Sequence, residues 1–250
     1  MKIIAIIPAR YKSSRFPGKP LADVCGKPMI WWVYQEALKV KEYADVIVAT
    51  ESELIVDECH KFGMHVMMTS DLHPTGTDRV AEVAQKYEAD LYVVIMGDEP
   101  LISAQDERDL IHAIADAPEA DAIMLTEEFK YPVDVVNDTT IKLAINENNY
   151  LIYMSRAAIP HPKGMLGYPF YKNVGCYAFR KDALEFYRRT KPGRIEMAEE
   201  IELLRLLENH KKVLTVLVDS ESMAVDTPKD LERICKVIAQ KKIPSTMEFN

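Results

Sequence analysis

The amino-terminal stretch reads IIAIIPARYKSSRFPGK over residues 3–19. Its first five residues are apolar and mostly β-branched, which predicts a buried strand that stops at Pro8. The cationic loop that follows lies at the carboxyl end of this strand, where open α/β sheets bind their ligands. The stretch therefore predicts an α/β fold with a ligand site beside its first strand.

The loop after this strand concentrates positive charge. Its ten residues include four cations, Arg10, Lys12, Arg15 and Lys19, and small residues with accessible backbone N–H groups, Ser13, Ser14 and Gly18. Such a cluster suits a polyanion, and we predict a nucleoside triphosphate. Composition alone leaves open a solvated basic loop that binds nothing. The loop has the pattern neither of a Walker motif nor of a Gly-x-Gly-x-x-Gly turn.

Overall composition limits the classes of function. The 250 residues carry a formal net charge of −8, which argues against a general nucleic-acid-binding protein. Apolar runs fall short of the roughly 20 residues that span a bilayer, and the first one lacks a signal-peptide cleavage site. The four cysteines form no Cys-x-x-Cys pair, which favours free thiols in a reducing compartment. We expect a cytoplasmic protein with neither nucleic-acid partners nor membrane insertion.

Apolar runs alternate with segments of helical periodicity over the first half of the chain. The predicted strands are residues 3–7, 46–49, 66–68, 91–95 and 122–125, and the predicted helices are residues 29–38, 54–62, 77–87 and 104–114. This alternation is typical of βαβ units in a parallel sheet.

The rhythm changes after about residue 130. Strands are predicted at residues 141–145, 151–154 and 170–179, followed by a helix at 195–207, a strand at 213–218 and a helix at 229–241. We therefore predict a doubly wound, mostly parallel α/β fold in one domain over residues 1–250. An inserted antiparallel layer is expected at about residues 131–180.

Two carboxylates follow predicted strands. Asp98 lies in the sequence GDEP at residues 97–100, and Asp226 lies in VDTP at residues 225–228. Both suit Mg²⁺, which proteins bind with a few carboxylates while substrate phosphates complete the shell. Asp226 has an alternative role as the N-cap of the helix that follows.

The sequence HPTGTDR at residues 73–79 opens a predicted helix. Thr75, Gly76 and Thr77 would present hydroxyl and backbone groups at its N-terminus, which suits an anion or the edge of a base and its ribose. His73 has no second histidine at metal-ligand spacing, so we expect it to be structural or solvent-facing.

These segments together resemble the 3-deoxy-manno-octulosonate (KDO) cytidylyltransferases, nearly end to end. The matching sequences are IPARY at 7–11, FPGKPL at 16–21, GKPMI at 26–30, GTDR at 76–79, GDEP at 97–100, SRA at 155–157, IP at 159–160 and VDTPKDLE at 225–232. The resemblance implies a nucleotide-diphospho-sugar transferase type of fold. It also implies a homodimer, with contacts from the insertion, that moves CMP from CTP to an acidic acceptor and releases pyrophosphate.

The same resemblance implies roles for individual residues. The nucleotide would be bound by Pro8, Ala9, Arg10, Ser13, Ser14, Arg15, Lys19, Thr75, Gly76, Thr77 and Arg79. Catalysis would depend on Arg10, Arg15, Lys19 and Asp98, and Mg²⁺ would be held by Asp98 and Asp226. The acceptor would be bound by Met96, Lys142, Arg156, Asn173, Tyr177 and Glu202.

Three departures from the family fall on the acceptor side. Met96 and Leu203 each stand where the family has glutamine, and KNVG at residues 172–175 replaces Arg-His-Leu-Gly. We expect KDO or a related sugar acid as acceptor, with unmodified KDO a poor substrate. One alternative is a small phosphonate or phosphorylated acid, held by Arg156 and Lys172. An alternative of another class is a nucleotide-binding regulator without turnover. The two carboxylates argue against it, because a regulator does not need two metal ligands.

Overall fold

The computed structural model describes residues 1–12, 16–220 and 222–242. Its strands are β1 (Ile3–Pro8), β2 (Asp23–Val24), β3 (Lys27–Pro28), β4 (Tyr43–Thr50), β5 (Val66–Met68), β6 (Leu91–Ile95), β7 (Ala122–Glu128), β8 (Lys142–Ile145), β9 (Leu151–Ser155), β10 (Tyr171–Arg180) and β11 (Val213–Leu217). Its α-helices are α1 (Met29–Ala37), α2 (Glu53–Lys61), α3 (Gly76–Lys86), α4 (Ala104–Asp116), α5 (Lys181–Arg189), α6 (Arg194–Glu199), α7 (Leu204–Leu207) and α8 (Pro228–Lys242). Short 3-10 helices span Lys19–Leu21 and Pro132–Val136.

The main sheet has the strand order β11-β7-β10-β6-β1-β4-β5. β1 pairs in parallel with β4 and β6, β4 with β5, and β11 with β7, whereas β10 is antiparallel to both of its neighbours. β8 joins the start of β10 and pairs with β9, both antiparallel. The predicted mostly parallel α/β fold with an antiparallel layer is confirmed.

Both faces of the sheet are covered, which explains why β1 is apolar throughout. Ile3, Ala5 and Ile7 belong to one buried cluster with residues of α1, α2 and α4. Ile4 and Ile6 point to the opposite face and belong to a second cluster with residues of α3, α5 and α7. The alternating directions of strand side chains thus place consecutive residues in different cores.

A smaller cluster fixes the position of α8. Ile234 and Ile238 pack with Val225 and with Val24 and Met29, which precede or begin α1. The segment before α8 is therefore held against the rest of the molecule. Among the described residues, none of the helices combines the length and apolarity needed to cross a bilayer.

The carboxy-terminal half differs in detail from the predictions. The helix predicted over residues 195–207 is wrong as a single element, because Glu200 adopts a left-handed conformation (φ 52°, ψ 46°) that separates α6 from α7. α5 was not predicted, although Ala183, Leu184 and Tyr187 form a buried stripe at helical spacing.

The insertion at about residues 131–180 has a different boundary from the predicted one. β8 and β9 form the antiparallel addition, but β10 reaches the middle of the main sheet, where Cys176 to Arg180 pair with β6. β10 therefore connects the added layer to the centre of the main sheet, beside the strand ends where the predicted site lies.

Candidate active site

The carboxyl ends of β1 and β6 lie against each other at the centre of the sheet. A Cβ atom at Gly97 would be 3.1 Å from the Pro8 carbonyl oxygen and 3.1 Å from Ile30 Cδ1, which is tighter than ordinary contacts. Glycine therefore allows the segment after β6 to approach Pro8. A Cβ atom at Gly76 would likewise be 3.5 Å from Pro8 Cγ, so the start of α3 borders the same point.

Lys19 lies between the two predicted metal ligands. Its Nζ is 2.5 Å from Asp98 Oδ2 and 3.5 Å from Asp226 Oδ1. The Asp98 carbonyl also accepts a hydrogen bond of 2.9 Å from the Val225 amide, which joins the two carboxylate segments through the backbone. The structure thus brings together three predicted site residues that are far apart in sequence.

Backbone hydrogen bonds hold the cationic loop beside the carboxyl end of β1. The Ala9 amide donates to the Ala49 carbonyl at 2.8 Å, and the Gly18 amide donates to the Tyr11 carbonyl at 2.9 Å. Gly18 has a positive φ of 69°, which favours glycine just before Lys19. Arg10 is exposed beside the strand end, and the predicted ligands Ser13, Ser14 and Arg15 lie outside the described residues.

α3 begins at Gly76, one residue before the predicted start, and Thr75 is its N-cap. Thr75 Oγ1 accepts a hydrogen bond from the Asp78 amide and donates to Asp78 Oδ2 at 2.7 Å, so this hydroxyl already has partners. The Thr77 hydroxyl is buried and has no hydrogen-bond partner among the described residues. The Thr77 amide donates to Glu202 Oε2 at 3.0 Å. Of the predicted hydroxyls, Thr77 is therefore the one left for a further contact.

Arg79 does not face the site as predicted. Its guanidinium is buried, donates to Thr69 Oγ1, and forms an ion pair of 2.9 Å with Glu51 Oε2. Burial is the main reason that the pKa of Arg79 is lowered. Glu51 Oε1 in turn accepts a hydrogen bond of 2.9 Å from the Tyr11 amide. Arg79 thus supports the first loop through Glu51.

Two of the predicted acceptor ligands border the nucleotide side. The Tyr177 hydroxyl donates to Glu202 Oε1 at 3.1 Å, and the other oxygen of Glu202 receives the Thr77 amide. Burial raises the pKa of Tyr177 well above its ordinary value, so the phenol stays a hydrogen-bond donor. Glu202 therefore links the predicted acceptor side to the start of α3.

Lys142 is a structural cation. Its Nζ donates to the carbonyls of Asn137 and Thr140, at 2.8 Å each, and to that of Arg156. These bonds use all three ammonium protons, so the acceptor contact predicted for Lys142 is replaced by a role in positioning Arg156.

Arg156 keeps part of its donor capacity. Its Nε donates to the Glu199 carbonyl at 2.8 Å, and its Nη atoms donate to the carbonyls of Asp138 and Glu200 at 3.2 and 3.4 Å. Three of its five N–H groups are engaged in these bonds, which leaves donors for an anion.

The three departures from the family lie near the start of β10. Met96 packs against the cluster that contains Tyr177 and Leu203, and its amide donates to the Gly175 carbonyl at 2.8 Å. Asn173 is half-buried and pairs with Thr126 of β7. Lys172, expected to be available for an anion, forms an ion pair of 2.8 Å with the buried Glu127, which engages part of its donor capacity.

The helix-cap alternative for Asp226 is also wrong. The capping contacts come from the next residues: the Thr227 amide and hydroxyl each donate to Asp230 Oδ2 at 2.8 Å, and the Asp226 amide donates to the same oxygen. The Asp226 carboxylate lies beside Lys19 instead, with Oδ1 3.5 Å from Nζ.

Comparison with known proteins identifies the family. The sequence matches the family model described as cytidylyltransferase over residues 4–213. The chain belongs to the cytidylyltransferase family. It is 40% identical to the 3-deoxy-manno-octulosonate cytidylyltransferase of Geotalea uraniireducens (strain Rf4), over 94% of this chain and 98% of the relative. It is 38% identical to the protein of the same name from Escherichia coli, over 96% of this chain and 97% of that protein.

Solved structures support the same assignment. A structure of CMP:2-keto-3-deoxy-manno-octonic acid synthetase complexed with CTP is similar with a TM-score of 0.91 and 38% identity, over 96% of this chain and 100% of that chain. A putative glucose-1-phosphate thymidylyltransferase from Bacillus anthracis, at 18% identity and a TM-score of 0.69 over 94% of each chain, shares the fold. The predicted fold type and the prediction of a nucleotidyltransferase are confirmed.

The site of this cytidylyltransferase contains one residue to which we assigned no role, Glu99. Its Oε1 accepts a hydrogen bond of 2.6 Å from the Gly175 amide, and its Oε2 accepts one of 2.5 Å from the Ser222 hydroxyl. Burial raises the pKa of Glu99 to about 7. The signal was present in the sequence GDEP, because Glu99 directly follows Asp98. Glu99 joins β10 to the segment that leads to Asp226.

The donor set of the cytidylyltransferase fits a divalent cation that is shared with substrate. Asp98 and Asp226 are both partly exposed, at 23% and 29% of their side chains, and a cationic group already lies between them. Within the described residues, no group of three or more His, Cys, Asp or Glu is placed to hold a metal alone. Mg²⁺ suits such a site, because proteins often bind it through one or two carboxylates while substrate phosphates and water complete the coordination shell.

Proposed function

We propose that this cytidylyltransferase transfers CMP from CTP to a sugar acid of the KDO type and releases pyrophosphate. The observation that carries the proposal is the cluster of Lys19, Asp98 and Asp226 at the meeting strand ends, beside the start of α3. The full-length similarity to proteins named for the KDO reaction supports the choice of both substrates.

The reaction begins with attack of an acceptor oxygen on the α-phosphorus of CTP, and the bond to pyrophosphate then breaks. Lys19 and Arg10 offset the negative charge that develops on the leaving pyrophosphate, and Arg15 of the same loop is expected to assist. The start of α3 would border the nucleotide, and the Thr77 hydroxyl, which has no hydrogen-bond partner among the described residues, would help to orient it. Positioning and charge neutralisation are the main contributions of the protein.

Asp98 and Asp226 would hold Mg²⁺ in this scheme. When bound, this ion neutralises phosphate charge and lowers the pKa of the acceptor hydroxyl, so that no dedicated general base is required. The proton of the acceptor hydroxyl would then pass to solvent, while Asp98, Asp226 and the neighbouring Lys19 position the charged groups.

The acceptor would lie between Arg156, Tyr177 and Glu202, with its carboxylate on the remaining N–H groups of Arg156. Tyr177 and Glu202 already bond to each other at 3.1 Å, which fixes their orientation before the acceptor arrives. Asn173 and Met96 line the side where this chain departs from the family. Lys172 is paired with Glu127, which makes it a weaker ligand for the phosphonate alternative than an unpaired lysine would be.

A pyrophosphate-release assay with purified protein, CTP and Mg²⁺ tests the proposal. The acceptors are KDO, an amino-substituted KDO and two simple phosphonates, and each reaction is repeated with UTP, ATP and GTP. We expect release only with a KDO-type acid and with CTP. Turnover of phosphonates alone, turnover with another nucleotide in preference to CTP, or no release would each contradict the proposal.

We also propose a homodimer in the cytoplasm. Large apolar side chains are exposed in the region of the insertion, including Val133 at 72%, Val136 at 77% and Leu166 at 91%, and such surfaces often mark protein interfaces. Within the described residues no disulfide joins the cysteines, in keeping with a reducing compartment. Analytical ultracentrifugation at micromolar concentration should give twice the mass of 28.5 kDa, and a monomer would contradict the dimer.

A further inference from the structure

The Lys19 ammonium occupies the space between the carboxylates that the proposed function assigns to the metal. Its Nζ donates a charge-assisted hydrogen bond to Asp98 Oδ2 at 2.5 Å and lies at ion-pair distance, 3.5 Å, from Asp226 Oδ1. Its side chain is only 14% exposed, so the contact is more than a passing surface pair. One cation is thus already held by the two oxygens that a divalent cation would use.

We propose that Lys19 competes with the divalent cation for Asp98 and Asp226, so that metal binds weakly until nucleotide phosphates draw the ammonium away. This inference rests on the proposed function only in assigning the metal to these two carboxylates. Lys19 would then favour the binding of nucleotide before metal, in addition to stabilising the leaving pyrophosphate.

Electrostatics gives the direction of the effect. Two carboxylates that face each other repel, and the ammonium between them removes most of that repulsion before substrate is present. A divalent cation must displace the ammonium to reach the same oxygens. Without a new partner the displaced ammonium would lose both contacts, and this loss subtracts from the affinity for metal.

The phosphates of the nucleotide supply the new partner. Lysine carries its charge on a flexible four-carbon chain, so Nζ can move several ångströms while the backbone of the 3-10 helix Lys19–Leu21 stays in place. A triphosphate beside the strand ends would accept the ammonium and release the carboxylates together. Metal and nucleotide would therefore favour each other's binding, a coupling that is reciprocal by thermodynamic necessity.

The test measures the affinity of the protein for Mn²⁺ in the absence of nucleotide. The concentration of free Mn²⁺ is obtained from its electron paramagnetic resonance signal. We compare the wild type with Lys19→Met and Lys19→Gln. Both variants remove the charge, and the polar glutamine provides a second test if the methionine variant folds poorly. Circular dichroism and thermal unfolding establish that each variant is folded. Lys61→Met is the matched control, because Lys61 is an exposed lysine that pairs only with Glu58 among its ion-pair contacts.

We expect Lys19→Met and Lys19→Gln to bind Mn²⁺ at least about tenfold more tightly than the wild type, since an opposing cation has been removed. Lys61→Met should match the wild type. The gain should disappear in Lys19→Met/Asp98→Asn, which places it at the carboxylate pair. Folded Lys19 variants with unchanged or weaker Mn²⁺ affinity would overturn the proposal, as would a gain that survives in the double variant.

The two proposals can fail separately. The Mn²⁺ measurement uses no CTP and no acceptor, so a missing KDO activity leaves its interpretation intact. Conversely, a folded wild type that releases pyrophosphate with KDO while the Lys19 variants gain no Mn²⁺ affinity would retain the function and remove the competition.

Discussion

At the scale of single residues, Asp98 and Asp226 carry the same functional group but have different supports. Asp98 lies three residues after the end of β6, and its carbonyl accepts a hydrogen bond from the Val225 amide. Asp226 precedes α8, where the capping bonds are made by Thr227 and Asp230. Both carboxylates face Lys19, which is consistent with the metal site proposed for them.

We predict that Asp98→Asn and Asp226→Asn each lower turnover by at least about 100-fold, because each removes charge where the reaction needs it. The free energy of unfolding should fall by less than about 1 kcal/mol in both. Steady-state pyrophosphate release and thermal unfolding measure the two effects. Thr227→Ala is the stability control, with an expected loss of about 1 kcal/mol from its cap. Near-normal activity of either Asn variant in Mg²⁺ would remove the two-carboxylate site.

The sequence is less informative about which cations contact ligands. Lys19 contacts Asp98 and Asp226, and Arg10 is exposed beside the end of β1, whereas Arg79 and Lys142 are buried cations bonded to protein oxygens. Arg205 is another buried cation, which pairs with Glu196 at 2.5 Å and Asp78 at 3.1 Å. A sequence motif gives the position of a cationic residue in the chain. The oxygen atoms that the cation bonds to belong to other elements of the fold. Their roles therefore became visible only with the fold.

At the scale of elements, β10 and the segment after β6 are joined by a close contact at Gly175. The Gly175 amide lies 2.6 Å from Glu99 Oε1, and a Cβ atom at this position would be 2.3 Å from that oxygen and 3.0 Å from Met96 Cβ. The other oxygen of Glu99 receives the Ser222 hydroxyl. Three segments of the site therefore depend on one glycine.

We predict that Gly175→Ala destabilises the protein by about 1 to 3 kcal/mol, because the new methyl group forces Glu99 or β10 to move. Turnover should fall as well, since Glu99 adjoins Asp98. The control is Gly164→Ala, where a Cβ atom would meet nothing within 4 Å, and it should be near neutral. Chemical denaturation and pyrophosphate release measure both variants. Equal stability of the two would show that Glu99 does not tie these segments together.

Elements were predicted best where the periodicity is local. The helix bounds at residues 29–38 and 104–114 differ from α1 and α4 by at most two residues. The segment 195–207 also has apolar residues at helical spacing, yet the chain turns at Glu200. Contacts made across the turn, such as the Arg205 guanidinium to the Glu196 carboxylate, favour two short helices over one. Such tertiary contacts leave no mark on periodicity.

At the scale of the whole molecule, the alternating pattern of the first half was sufficient to predict the parallel sheet. It was not sufficient to place β10, which lies antiparallel between β6 and β7 although β8 and β9 precede it in sequence. Strand order depends on pairing between distant segments, and a single sequence contains no record of that pairing. The central position of β10 is what carries Tyr177 and Asn173 to the site.

A buried acid in this architecture makes the stability of the whole molecule depend on pH. Glu107 of α4 is fully buried, its Oε2 accepts the Tyr43 hydroxyl at 2.7 Å, and its Oε1 has no hydrogen-bond partner among the described residues. Burial is the main reason that the pKa of Glu107 is raised from 4.5 to about 8. The folded protein thus favours the protonated acid, while the unfolded chain ionises near its ordinary pKa.

The sign of the pH dependence follows from this difference. The stabilisation from Glu107 is fully present below pH about 4.5 and is lost as the pH rises through about 8. We predict that the free energy of unfolding falls between pH 5 and 8 by roughly 1 to 3 kcal/mol more in the wild type than in Glu107→Gln, whose amide stays neutral. Urea denaturation at each pH measures it, with the exposed Glu147→Gln as control. Parallel curves for the wild type and Glu107→Gln would show that Glu107 is ionised in the folded protein.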